Sequence, residues 1–106
     1  MATEIKDKEM TIEQKIEQWK KKYGDIYRYV SEDGEASCYL RKPSRKVLGA
    51  ASVVAKGDPL KYNEIILANC WLEGNEQIKN DDSYFLGVSR VLDTLIEAKE
   101  GELKKV

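Results

Sequence analysis

Punctuation constrains this chain more than any other feature. Gly24, Asp33-Gly34, Pro43-Ser44, Gly57-Asp58-Pro59, Glu73-Gly74-Asn75 and Asn80-Asp81-Asp82 divide it into short pieces. Glycine admits left-handed backbone and proline lacks an amide proton, so such sites stop helices and make turns. Within 106 residues the pieces must pack on one another as a single domain. There is no internal repeat, low-complexity tract or interdomain linker.

Each piece carries its own period. Thr11-x-x-Gln14 fits a capping box, and Ile12, Ile16, Trp19 and Tyr23 follow at helical spacing. Lys20, Lys21 and Lys22 suit the negative end of that helix, and Gly24 stops it. From Asp25 to Arg41 the residues favour strands, and Asp33-Gly34 marks a hairpin turn. Alternation puts Ile26, Arg28 and Val30 on one face of the hairpin and Tyr27 and Tyr29 on the other. A two-stranded ribbon is marginal in water, so it must lie on helices or join a partner's sheet.

Pro43-Ser44 opens a second helix with Val47, Leu48, Ala51, Val54 and Ala55 as its stripe. Asp58-Pro59 opens a third, through Leu60, Ile66, Leu67, Cys70 and Trp71, paired with the second as a hairpin or sharp corner. Glu73-Gly74-Asn75 reads as a turn. Asn80, Asp81 and Asp82 then cap a long closing helix carrying Phe85, Val88, Leu92, Leu95, Ile96 and Leu103. Gly87 inside that helix implies close packing. The expected architecture is α+β and mostly helical: a flexible leader over 1–10, then one domain over 11–106. Its order is an N-terminal helix, a β-hairpin and three helices, with Ile16, Leu48, Leu67, Trp71, Phe85 and Leu92 in the core.

Charge and chemistry narrow the function classes. Eighteen basic residues against nineteen acidic ones leave a net charge of −1, so nucleic acid is disfavoured as a partner on overall field. The charged stretch Met1–Glu9 has no apolar core for a signal peptide, and no apolar run spans a bilayer. No membrane association and a cytoplasmic location are the expectation. Histidine is absent, and Cys38 and Cys70 stand far apart as small, reduced apolar groups. No metal site, cofactor or catalytic residue is expected, since Gly-rich phosphate loops and nucleophile motifs are missing too. Asp81-Asp82 with Glu76 lacks the spacing of a calcium loop, and capping explains the pair.

Two features invite a partner. The cluster Arg41-Lys42-Pro43-Ser44-Arg45-Lys46 could touch phosphate or an acidic protein, and a nucleic-acid-associated regulator using it is the alternative reading. A helix-turn-helix around Gly57 is disfavoured, because the second helix presents Asn63, Glu64 and only Lys61 as a cation. Tyr27, Tyr29 and Tyr39 exceed what a small core covers, so some tyrosine surface is expected to face a protein partner, rimmed by Arg41 and Arg45. A groove between the paired helices and the closing helix is the second candidate surface. Self-association as a homo-oligomer is the other use of such a surface.

From Cys38 onward the chain resembles small tail assembly chaperones of tailed phages and prophages. The resemblance lies in Tyr39-Leu40-Arg41-Lys42-Pro43-Ser44-Arg45 running into a helix, then Gly57-Asp58-Pro59-Leu60-Lys61-Tyr62-Asn63-Glu64. Asn69-Cys70-Trp71-Leu72 follows, then Ile78, Asp81-Asp82 and Glu102-Leu103, so that it covers about two thirds of the chain. It implies a short α+β protein that binds the tape measure protein, keeps its long apolar helices soluble, and brings tail tube subunits to it. Many members also have a frameshifted longer form, of which this sequence shows no sign.

Overall fold

The computed structural model describes residues 10–96 and 98–106. Apart from Met10, the expected leader lies outside the described residues.

Local chemistry sets the element ends. Helix α1 spans Ile12–Tyr23. It starts with the full capping box: Gln14 N donates to Thr11 Oγ1 at 3.2 Å and Thr11 N to Gln14 Oε1 at 3.0 Å. It ends at Gly24, whose φ of 88° lets its amide reach back to the Lys20 carbonyl. Strands β1 (Ile26–Val30) and β2 (Ser37–Arg41) form the hairpin. Inside its loop, Asp33 Oδ1 accepts from the Ser31 hydroxyl at 2.6 Å and from Glu35 N at 2.9 Å. Helix α2 (Arg45–Ala55) is capped by Ser44, and α3 (Pro59–Cys70) by Asp58 with proline in the first turn.

The sheet is larger than a hairpin. Trp71–Gly74 forms a third strand, β3, antiparallel to β2, in the order β1-β2-β3. The expected helical stripe therefore stops at Cys70, and the Glu73-Gly74-Asn75 turn is corrected to a strand and its exit. Asn75 prolongs the pairing, donating its N–H to the Ser37 carbonyl and accepting from Ser37 N through its side chain, both at 2.9 Å. Gly74 is required there, because a Cβ would overlap the Cys38 side chain and backbone.

Helices α4 (Gln77–Asn80) and α5 (Asp82–Ser89) follow, with Asp81 capping α5. The long closing helix is also corrected. After α5 the chain makes a 3-10 turn over Leu92–Leu95, and residues 98–106 carry no helix. Glycine and β-branched residues at 87, 88 and 91 weaken a continuous helix, while Val88, Leu92 and Leu95 still reach the core.

The core lies on one face of the sheet. Tyr27 pairs with Leu40 and Tyr29 with Cys38, so these four side chains point the same way. Cys38 and Leu40 are buried with Ala51, Ile66, Leu67, Cys70, Ile78, Val88, Leu92 and Leu95. Leu48, Trp71 and Phe85 are half-buried against this cluster, while Leu67 and Leu92 lie fully inside it, as expected. Val54 is 57% exposed, because α2 turns Val47, Ala51 and Ala55 inward at four-residue spacing and position 54 falls off that row. The opposite sheet face carries Tyr39 and Glu73, and α1 lies over it. The Trp19 and Tyr39 rings stand 5.6 Å apart, and Lys15 Nζ pairs with Glu73 Oε1 at 2.7 Å. Ile16 is half-buried under that helix, not in the main core. The architecture is α+β, with helices on both faces of a three-stranded antiparallel sheet.

Candidate functional site

The tyrosine surface expected on the hairpin is only partly covered: all three rings are half-buried, and Tyr29 lines an open recess with Val30 and Leu86. Tyr27 and Tyr29 are half-buried against the core, because they stand opposite Leu40 and Cys38. Tyr39, on the other face, lies against Trp19 of α1. Arg41 sits 4.6 Å over the Tyr23 ring, and its Nε donates to the Asn69 carbonyl at 3.1 Å, one of the last carbonyls of α3. Lys42 Nζ is 3.3 Å from Asp25 Oδ2. Of the four cations in the basic cluster, only Arg45 and Lys46 are exposed on the first turn of α2. The three tyrosines, Arg41 and Arg45 thus form no single exposed surface.

Of the second candidate surface, expected between the paired helices and a long closing helix, the structure shows a cleft lined from α3, its cap and α5, with no residue of α2. Residues of α3 and α5 line an open cleft of about 430 Å³. Its apolar lining is half-buried Phe85 with Leu60 and Leu86, which are 51% and 47% exposed. Asp58, Glu64 and Asp82 rim it, with Lys61 as the single cation of the lining. The acids come with the architecture: Asp58 caps α3, and Asp82 occupies the first turn of α5, where carboxylates oppose the positive helix ends. Leu86 also lines an adjoining recess with Val30, Val91 and Arg90, so apolar surface continues from α3 to the edge of the sheet. In the sequence, Leu60 is counted with the apolar stripe of α3, while Leu86 stands off the stripe of Phe85, Val88 and Leu92. Only the relative placement of the two helices brings them to one cleft.

Beyond the groove, a polar clasp ties the hairpin loop to α5. The Tyr84 hydroxyl donates to Asp33 Oδ2 at 2.7 Å. The Ser31 hydroxyl, the Glu35 amide and that phenol hold the Asp33 carboxyl below its ordinary range, and the same bond to Asp33 raises the Tyr84 phenol. A Cβ at Gly87 would stand 3.2 Å from the Tyr29 hydroxyl, which explains the small residue there. Burial pushes the Cys38 thiol up to about 12 and Cys70 up to about 11, so both are neutral near pH 7. Among the described residues no cluster of His, Cys, Asp and Glu could hold a metal ion, and no helix is long and apolar enough to cross a membrane. The groove can bury an apolar side chain or helix face and counter basic charge around it. No protein-family model, curated protein or solved structure matches this chain.

Proposed function

We propose that this chain is a protein-binding adaptor of the tail assembly chaperone type, acting in the cytoplasm of a bacterial host. Its client is an amphipathic helix of a tape measure protein, held with its apolar side on the Leu60–Phe85–Leu86 groove. The observation that carries this reading is that groove: exposed leucines beside a partly exposed phenylalanine, framed by acidic residues. Helix-in-groove recognition works by burying an apolar face while the rim selects charge. The acidic rim favours a client helix with lysine or arginine beside its apolar stripe. A tail tube protein is a second partner implied by the resemblance, and the groove leaves the α1 side of the sheet for it.

Co-purification with a tape measure fragment tests the proposal. Leu86→Asp and Leu60→Asp should each reduce recovery of the fragment at least tenfold, with circular dichroism unchanged. Undiminished recovery with a folded Leu60→Asp/Leu86→Asp double variant would remove the groove as the client site. Failure of the wild-type chain to retain any tape measure fragment would remove the chaperone reading itself.

A further inference from the structure

The groove has a complement within the same sequence. Every residue from 98 to 106 is exposed and none is in a helix or strand. Leu103 and Val106 are fully exposed, at 105% and 118%, and Lys104 and Lys105 lie between them. A three-residue separation puts Leu103 and Val106 on one side of a helical turn, the arrangement an apolar cleft accepts. The lining of the cleft holds three acids against one cation, Lys61, which already stands 3.4 Å from Glu64. The segment carries Lys99, Lys104 and Lys105 against Glu100 and Glu102, with Lys104 Nζ 4.0 Å from Glu102 Oε1, so its net charge of +1 is opposite in sign to that of the cleft lining.

We propose that the 98–106 segment of one copy docks in the groove of a second copy. Leu103 and Val106 lie on Leu60, Phe85 and Leu86, and Lys104 and Lys105 face Asp58, Glu64 and Asp82. In its own chain the segment contributes no residue to the lining of the groove. Such a contact is heterologous: the 98–106 patch of one copy meets the groove patch of the next, closing as an exchanged dimer or continuing as a chain. The contact is small, so it is weak and exchanges readily. It covers the exposed leucines of a chain without its client and yields when a longer apolar helix arrives. This rests on the groove assigned under the proposed function, but not on the identity of the client.

Sedimentation equilibrium of the purified full chain over a wide concentration range is the test. The expected result is concentration-dependent association that weakens with added salt. Leu103→Asp/Val106→Asp should raise the dissociation constant at least tenfold, with the fold unaltered because both side chains are fully exposed. Lys104→Glu/Lys105→Glu and Glu64→Lys/Asp82→Lys should each weaken association, and an equimolar mixture of these two variants should restore a heterodimer. A wild-type chain that stays monomeric at all concentrations overturns the proposal, as does association that Leu103→Asp/Val106→Asp leaves unchanged. Binding of a tape measure fragment, measured separately, distinguishes the two readings. If no variant or wild type binds it while self-association follows the pattern above, the chaperone reading fails and the contact between segment 98–106 and the groove stands. If both hold, Leu103→Asp/Val106→Asp should bind the fragment more tightly than wild type, because the competing apolar pair is gone.

Discussion

Arg41 lies over the ring of Tyr23, 4.6 Å from guanidinium carbon to centroid, and so joins the end of β2 to the end of α1. Its Nε adds a hydrogen bond to the Asn69 carbonyl at the end of α3. A ring contact is worth about 0.5–1 kcal/mol and a net hydrogen bond about 0.5–1.5 kcal/mol. Arg41→Ala should therefore lower stability by about 1–2 kcal/mol in urea denaturation. Arg45→Ala, exposed on the first turn of α2, should change it by less than about 0.5 kcal/mol. Equal losses for the two would mean that Arg41 is no more than a surface charge.

The β2–β3 pairing hinges on a missing side chain. A Cβ at Gly74 would overlap Cys38 and the Ser37 carbonyl, so Gly74→Ala must push the strands apart. Overpacking of this kind costs about 1–3 kcal/mol and sometimes more. Denaturation should show at least about 2 kcal/mol lost, whereas Gly101→Ala, with nothing within 4 Å of the added carbon, should be neutral.

The Asp33–Tyr84 clasp gives stability a defined pH dependence. The folded carboxyl titrates below its ordinary value, so its contribution is present above the unfolded pKa and disappears as pH falls through the folded one. The phenol is shifted the other way. Its contribution is present below its ordinary value near 10 and is lost as pH rises through the folded pKa. Asp33→Asn should thus be less stable than wild type at neutral pH, and the difference should shrink below about pH 3.9, where aspartate ordinarily protonates. Urea midpoints across the acid range check this, and a gap that does not narrow as pH falls below that value would contradict it.

Cys38 and Cys70 are 0% exposed and their thiols are pushed to about 12 and about 11. Only the thiolate reacts readily, so a disulfide reagent at pH 8 should label neither until the chain opens. Labelling should follow the unfolding rate and become rapid in denaturant. Immediate reaction of either thiol in the native protein would show that the core face of the sheet is accessible.

The sequence disclosed the parts whose cause is local. Thr11 with Gln14, Ser44, Asp58 and Asp81 all begin helices where their side chains satisfy free amides. The alternation of Tyr27 and Tyr29 against Arg28 also holds, but which face meets the core depends on the partner strand, and no local signal carries that. Strand β3 was hidden for the same reason. Trp71 continues the apolar stripe of α3, and only pairing of Gly74 with Cys38 draws the segment into the sheet. The closing helix misled because Val88, Leu92 and Leu95 keep helical spacing across a break in the helix. At the surface, Leu103 obeys the same period and touches no core at all. The cleft between α3 and α5 was not legible as a place, since a groove expected beside both paired helices takes no residue from α2, and which helices meet depends on tertiary placement.

Helix α1 has no buried residue; it rests on the sheet through the Trp19–Tyr39 rings, the Arg41–Tyr23 contact and the Lys15–Glu73 pair. Cooperative units open at a free energy set by the surface they bury, so this one should open well below the global unfolding free energy. Amide protons of α1 should then exchange with solvent while those of α3 remain protected. Each such opening strips the outer face of β2 without disturbing the core behind it. The domain therefore has two stabilities, a durable one on the α3 side of the sheet and a transient one on the α1 side, and the α1 face is periodically a bare β-surface.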